Sequence, residues 1–334
     1  MRQSLTVDVV EVRGDYNKIG REQAKSLKVL FTPGLEEGFN LQEAKQVYRE
    51  FAPGLWTELE GIAEGLKVEL YQVVANFSMY DLPFPEIGCT ALVQEQHYTR
   101  NYDFSPEIYD ARLVLAQPDD GYASVGFSQQ AIGRLDGMNE KGLVIGLHFV
   151  NQSNDQNGLA APAIVRIVLD QCQSTDEAID LLIRLPHSHS YNYSITDVSE
   201  NHAVVEASPR EQHVRKTTTL FCTNHFQADA LTHHNRENTI NSTERLAALK
   251  QVADQKPNRI ETFEQFHSPE SPLFFKDYRN FFGTLHTVQY APEDLSVMIG
   301  IGQNSDPLEF SFRRWLNRSE ILPKRVTGDI IQRD

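Results

Sequence analysis

The chain has 334 residues, 40% of them hydrophobic and 23% charged, an ordinary globular composition with room for one large domain or two smaller ones. Its formal net charge of -15 at pH 7 argues against nucleic acid or an anionic membrane surface as the main partner. No apolar run approaches the roughly 18 residues of a membrane span, and Met1 to Asp8 carries no apolar core of signal-peptide length.

The first 88 residues read as one strand followed by helices. Alternation over 6–12 predicts a strand closed by Gly14. Helical periodicity follows over 19–30, 41–51, 55–66 and 70–80, with Pro53-Gly54 and Gly65 as breakers and caps. Asp81-Leu82-Pro83-Phe84-Pro85 is a stiff linker, because two prolines cannot continue a helix.

From Cys89 the pattern turns to strands. An apolar strand entered at Cys89 leads through a short polar hairpin to Arg100-Asn101-Tyr102-Asp103-Phe104. Strand 113–115 returns as 122–127 after a Pro118-Asp119-Asp120-Gly121 turn, and Asn139-Glu140-Lys141-Gly142 joins strands over 132–138 and 143–149. Helices are predicted over 162–172 and 174–185, the second opened by a Ser174/Glu177 capping box. Strands over 191–196, 203–207 and 220–223, a helix over 242–252, and strands over 283–290 and 296–301 complete the reading. Strands, then helices, then strands predict an α+β fold with two layers of mostly antiparallel sheet.

Gly88-Cys89 is the most informative point. A cysteine after glycine can attack the preceding carbonyl, shift the peptide to a thioester, and emerge as a new N-terminus whose α-amino group serves its own thiol as base. A cysteine in such a setting is more often a small buried hydrophobe, so the weight falls on its neighbours. The three cysteines, Cys89, Cys172 and Cys222, are sparse and lack zinc spacing, which fits free thiols in the cytoplasm. Cys172 and Cys222 sit in apolar contexts and read as structural. His187, His189, His233 and His234 lack a helical ligand pattern and partner acids, so neither metal nor cofactor is expected.

The neighbours carry a family resemblance. Glu58-Leu59-Glu60-Gly61-Ile62-Ala63-Glu64-Gly65, Gly88-Cys89-Thr90, Arg100 to Phe104, Met138-Asn139-Glu140-Lys141-Gly142-Leu143 and Cys222-Thr223-Asn224-His225-Phe226 occur in the order seen in N-terminal-nucleophile hydrolases. The chain is most similar to their penicillin acyltransferase branch, the autoproteolytic C45-type peptidases. Choloylglycine hydrolase and penicillin V acylase are more distant relatives. The resemblance implies a four-layer αββα sandwich with a mostly helical N-terminal segment. It implies a cut at Gly88-Cys89, with segment 1–88 staying bound to the catalytic domain 89–334. It also implies cleavage of linear, non-peptide amides, or acyl transfer, through an acyl-Cys89 thioester.

By the same resemblance Cys89 is the nucleophile, Arg100 lies near its thiol, Asp103 orients the new α-amino group, and Asn224 donates to the oxyanion. In a regular strand Arg100 and Asp103 point to opposite faces. A bend, a bulge or a strand end after Arg100 is therefore expected if both reach Cys89. His148 stands where the bile-salt and penicillin V enzymes have a second oxyanion asparagine. A neutral imidazole keeps one N–H for that role, though His148 equally suits a core or pocket position. Asn139 belongs to the same group of oxyanion or pocket candidates but reads better as turn chemistry. Arg245 corresponds only loosely to a late family arginine and reads as a solvated helix residue.

Tyr80, Phe84 and Phe104 flank the nucleophile, and Phe149 and Phe226 the oxyanion candidates, so the expected partner is a small amide with an apolar acyl group. Two other functions stay open. One is an acyl-CoA-dependent N-acyltransferase using the same thioester. The other is a catalytically silent small-molecule-binding protein, which has no physical need for Cys89, Arg100, Asp103 and Asn224 together. A homo-oligomer also stays open.

Overall fold

A computed structural model of the protein describes residues 2–331 apart from 28–30, 33, 83–87, 154–156, 281 and 304. The N-terminal strand β1 (Arg2–Gly14) is followed by helices α1 (Tyr16–Ala24), α2 (Leu41–Phe51), α3 (Pro53–Leu66) and α4 (Leu70–Phe77). Caps set these boundaries. Asp15 accepts from the Lys18 N–H and Asn40 from the Glu43 N–H, and Pro53 opens α3. The fourth helix stops three residues short of its expected end at Tyr80, because Met79 adopts a left-handed φ of 60° and Tyr80 pairs with Leu159. Most of the expected linker, including Phe84, lies outside the described residues.

Strands β2 (Gly88–Gln94), β3 (His97–Phe104), β4 (Arg112–Pro118), β5 (Ser124–Gln129), β6 (Gly133–Arg134), β7 (Asp136–Asn139) and β8 (Val144–Asn151) come next. Helices α5 (Ala161–Gln171) and α6 (Thr175–Arg184) precede β9 (Ser190–Thr196), β10 (His202–Ala207), β11 (Gln212–Thr217) and β12 (Leu220–Cys222). The chain closes with α7 (Ile240–Asp254), α8 (Arg259–His267), β13 (Lys276–Asp277), β14 (Phe282–Ala291), β15 (Ser296–Ile301), β16 (Leu308–Ser311), α9 (Phe312–Leu316) and β17 (Arg325–Ile331).

These strands form two sheets. The larger has the order β11-β10-β9-β8-β7-β5-β4-β1-β17, with β6 beside β5. The smaller has the order β12-β2-β3-β14-β15-β16, with β13 beside β14. Helices α5 and α6 cover the outer face of the large sheet, and α7 and α8 that of the small one. Between the sheets lies one continuous apolar core, crossed by hydrogen bonds such as Tyr98 Oη to Ser194 Oγ at 2.7 Å. This is the α+β, four-layer αββα sandwich expected from the sequence.

Segment 1–88 is part of that sandwich. Strand β1 runs parallel to β4 and antiparallel to β17, inside the large sheet. Helices α1 and α3 meet closely at Gly61, where a Cβ would lie 2.0 Å from the Asn17 carbonyl oxygen. Wholly buried Glu58 of α3 accepts from Arg166 Nη2 of α5 at 3.0 Å and also from Gln23, while Arg166 Nε bonds Asp170 at 2.8 Å. Removing one member of such a buried pair costs about 3–5 kcal/mol. The Glu58–Gly65 stretch therefore ties the helical segment to the rest of the molecule.

Edge strands escaped the sequence reading. Strand β11 (Gln212–Thr217) is at most half-buried along its length, β17 (Arg325–Ile331) buries only the face of Val326, Gly328 and Ile330, and polar residues or Gly328 interrupt the apolar alternation of both. No helix among the described residues is long and apolar enough to cross a membrane.

Candidate active site

The hairpin of β2 and β3 builds the centre of the site. Its two turn residues, Glu95 and Gln96, both take left-handed φ values of 47° and 63°, the geometry that suits the twist of a two-residue hairpin. The register is uninterrupted, placing Gly88 opposite Asp103, Cys89 opposite Tyr102, and Ala91 opposite Arg100. Opposed residues share a face, so Cys89, Arg100 and Tyr102 look toward the large sheet while Gly88 and Asp103 look the other way.

The β2–β3 ladder is regular from Arg100 to Asp103 and β3 runs on through Phe104, while the expected irregularity falls on the other side of β3, where β14 carries one extra residue, Leu285, between the partners of Asp103 and Tyr102. The two residues serve opposite faces. Arg100 reaches the thiol, and Asp103 lies beside the Gly88-Cys89 peptide.

Arg100 Nη2 donates to Cys89 Sγ at 3.0 Å and to the Leu147 carbonyl at 2.8 Å, and its Nη1 pairs with Asp136 Oδ2 at 2.5 Å. All three side chains are wholly buried. Burial pushes the Cys89 thiol up to about 11, with the Arg100 charge the main opposing influence. At neutral pH this thiol is therefore protonated.

Asp103 Oδ1 accepts from Thr284 Oγ1 at 2.6 Å, and Oδ2 has no hydrogen-bond partner among the described residues. Burial raises its carboxyl above the ordinary range, against the Arg245 charge, the Thr284 hydrogen bond and the Arg100 charge.

The Cys89 backbone is held from the third direction. Its N–H donates to Asn224 Oδ1 at 2.8 Å, and Asn224 Nδ2 donates to the Phe149 carbonyl at 2.8 Å. The amide orientation is fixed by Arg245, whose Nη2 can only donate and does so to Asn224 Oδ1 at 2.8 Å. Arg245 Nη1 also donates to the Cys89 carbonyl at 2.6 Å and to Thr90 Oγ1 at 2.8 Å. With 3% exposure, Arg245 is a buried member of this cluster, which overturns its reading as a solvated helix residue. One signal was available: Arg245 falls at i, i+4 and i+7 with buried Leu249 and Val252, on the inward stripe of α7.

The remaining candidates divide. His148 is wholly buried on β8, its Nε2 shares a 2.8 Å hydrogen bond with Ser194 Oγ, and burial drives its pKa far down, so the ring is neutral. Phe149 enters the cluster through its carbonyl. Asn139 stays out: its Nδ2 bonds the Leu169 and Cys172 carbonyls, and its Oδ1 accepts from the Lys141 and Leu143 N–H groups of its own turn. Phe226 packs with Val150 and Leu231 in a small separate cluster. Tyr80 Oη bonds Glu43, and Phe104 packs on Tyr102. Cys172 and Cys222 are free and buried. His187 bonds the Leu182 carbonyl and Tyr193, and no group of three or more metal-ligating side chains occurs among the described residues.

Asp136 is a site residue that sequence reasoning did not single out. Besides Arg100 it accepts from Tyr290 Oη at 2.7 Å and lies 3.5 Å from His286 Nε2. His286 in turn stacks on Phe127 at 3.6 Å and bonds Tyr109 Oη through Nδ1 at 2.7 Å. In the sequence Asp136 falls inside the strand predicted over 132–138, where nothing marks it as a partner of Arg100.

Two stacked, mostly antiparallel sheets between helical layers, with a cysteine at the start of an inner strand, give the layering of an N-terminal-nucleophile hydrolase. The chain belongs to the acyl-coenzyme A:6-aminopenicillanic acid acyl-transferase family, whose model matches residues 93–306. That span covers more than half the chain and begins just after Cys89. No curated protein matches the chain by sequence.

Among solved structures, the chain is similar to penicillin V acylase from Agrobacterium tumefaciens (17% identity, TM-score 0.47, covering 68% of this chain and 86% of that one). It is also similar to a variant of conjugated bile acid hydrolase from Clostridium perfringens (12% identity, TM-score 0.47, 68% and 93%). A third is the Caenorhabditis elegans ortholog of N-acylethanolamine-hydrolyzing acid amidase (14% identity, TM-score 0.43, 62% and 93%).

Proposed function

We propose that this protein is a cysteine amidase or acyltransferase that activates itself by cutting Gly88-Cys89 and then works through an acyl-Cys89 thioester on small linear amides. The observation that carries this reading is the three-way hold on one residue: Arg100 on the Cys89 sulfur, Asn224 on its nitrogen and Arg245 on its carbonyl. A buried structural cysteine has no need of any of them.

In the first reaction the Cys89 sulfur attacks the Gly88 carbonyl carbon, the Gly88-Cys89 C–N bond breaks, and the amine takes the thiol proton. Water then releases Gly88 as a carboxylate. The Cys89 nitrogen, an amide before the cut, becomes an amine near pKa ~7.7–8.0, matched to draw the proton from its own thiol. Asn224 Oδ1 accepts from that nitrogen, and the nearby Asp103 carboxylate supports its protonated form.

Arg100 favours the thiolate. In the second reaction the sulfur attacks a substrate amide, the amine passes its proton to the leaving nitrogen, and water or a second amine resolves the thioester. We assign the oxyanion to the Asn224 amide and, in altered form, to His148. Segment 1–88 stays bound after the cut, a reading supported by β1 and the Glu58–Arg166 pair.

Intact mass tests the first step, two fragments parting at Gly88-Cys89 being the expected result. For the second, a panel of N-acyl amides sharing one leaving amine should show kcat/KM rising about three- to fourfold per added methylene until the pocket fills, from ~0.8 kcal/mol each. A flat series sinks the apolar-acyl part.

The family's namesake donor favours one further outcome, transfer from an acyl-CoA. Its signature is an N-acyl product that grows with added amine at constant thioester consumption.

A further inference from the structure

The inference concerns which acyl groups the site accepts, and it rests on the function proposed above. One sulfur attacks two carbonyls in turn: that of Gly88, and later that of the substrate. In each case the C–N bond breaks, the thioester forms, and the leaving nitrogen gains the proton given up by the thiol. Once each C–N bond has broken, both acyl groups hang from the same sulfur beside the same free amine, and we take the carbon next to the carbonyl to occupy the same place in both thioesters. In the chain that carbon is the Gly88 Cα.

Its surroundings are closed on one side. A Cβ of L configuration at position 88 would lie 2.3 Å from Phe282 Cε2, 2.8 Å from Phe282 Cζ and 3.0 Å from the Asp103 Cβ. Phe282 is half-buried at the start of β14, and its ring is held from two sides. The Phe282 ring is packed edge-to-face on Phe275 with centroids 4.6 Å apart and interplanar angle 69°. The Arg245 guanidinium lies 5.4 Å from the Phe282 ring centroid, and Arg245 is itself tied to the Cys89 carbonyl and Asn224. Asp103 cannot withdraw its Cβ without carrying its carboxylate away from the Thr284 hydroxyl.

We propose that Phe282 is a specificity-determining residue, which limits the enzyme to acyl groups with an unbranched methylene next to the carbonyl on that side. Linear acyl and arylacetyl-type groups pass. Acyl groups derived from L-amino acids other than glycine do not, because each carries a Cβ directed at the Phe282 ring. The mature enzyme is thereby barred from general peptide hydrolysis while its own glycyl bond stays open to attack.

The test uses the full chain in two arms. In the first, Gly88→Ala is compared with the Gly88→Ala/Phe282→Ala double variant for self-cutting by intact mass. The single variant should stay uncut and the double variant should recover fragments. In the second arm, kcat/KM is measured for the anilide of hexanoic acid and for both enantiomers of its 2-methyl derivative, with wild type, Phe282→Ala and Phe282→Leu. Wild type should disfavour one enantiomer over the other by at least about tenfold, the scale of overpacking a closed site, and Phe282→Ala should largely erase that ratio. Phe282→Leu keeps apolar contact with Phe275 and should narrow the ratio partway, which covers a failure of Phe282→Ala to fold.

A wild type that hydrolyses the panel without enantiomer preference overturns the assignment, as does a ratio unchanged in both Phe282 variants. So does Gly88→Ala cutting at the wild-type rate. A wild type that neither cuts itself nor hydrolyses any anilide removes the underlying functional reading, and this inference with it.

Discussion

Asp136 of the large sheet and Arg100 of the small one meet at 2.5 Å with neither side chain exposed, so the charge nearest the Cys89 sulfur is fixed by the opposite layer of the sandwich. Burial alone raises the Asp136 carboxyl, but the Arg100 charge, followed by His286 and the Tyr290 hydrogen bond, outweighs it and leaves its pKa below the ordinary range. A carboxyl lowered in this way supplies stability above its unfolded pKa and loses it as pH falls through the folded one. Asp136→Asn strands a buried guanidinium and is expected to cost about 3–5 kcal/mol in urea unfolding near neutral pH. The gap from wild type should begin to narrow as pH falls through the ordinary aspartate value of 3.8 toward the lower folded one. A gap independent of pH would show that Asp136 is not ionised in the folded protein.

Cys89→Ala should yield a folded, uncut chain without amide hydrolysis, since both proposed attacks use the same sulfur. Cys89→Ser is expected to cut slowly, because a hydroxyl is the weaker nucleophile near neutral pH. Normal fragments from the alanine variant would take Cys89 out of the first step.

Arg245→Lys removes the planar fork that spans the Cys89 carbonyl, Thr90 and Asn224. A lysine offers one charge centre and cannot hold all three. The expected loss in kcat is roughly 10²–10³, comparable to removing a donor that fixes the reacting geometry, with unfolding midpoints changed far less. Wild-type kcat in this variant would return Arg245 to a purely structural role.

Thr284→Val tests Asp103 through pH. The Thr284 hydroxyl favours the carboxylate, so removing it raises the Asp103 pKa further above the ordinary 3.8. If activity requires the ionised carboxylate, the acid limb of kcat/KM moves to higher pH in Thr284→Val. Thr284→Ser keeps the hydroxyl and should keep the wild-type limb. An acid limb that stays put in both variants would assign it to another group.

The sequence made the layering legible because turn chemistry and periodicity agreed through most of the chain. Helix α2 falls on its expected span, and the β2–β3 hairpin forms at the polar Glu95-Gln96 pair. Cys89, Arg100, Asp103 and Asn224 lie together, as the family resemblance implied.

Two contributors were hidden for a common reason. Arg245 in mid-helix and Asp136 inside a strand occupy places where charged residues are ordinarily solvated, and only long-range packing buries them. Arg245 holds the carbonyl of a residue 156 positions away, so its place on the inward stripe of α7 announces burial but not its partner.

Strand β1 carries a consequence for how the protein survives unfolding. It is an interior strand of the large sheet, held by β4 on one side and β17 on the other. While the chain is continuous, its insertion is intramolecular and independent of concentration. A cut at Gly88-Cys89 removes the tether without disturbing the sheet, and from then on regaining the fold requires two separate polypeptides to find each other. The activated molecule would thus be a one-way product, persisting by the slowness of its unfolding and not by its capacity to refold. Its recovery from urea should fall on dilution, whereas the uncut Cys89→Ala chain should recover equally well at any low concentration.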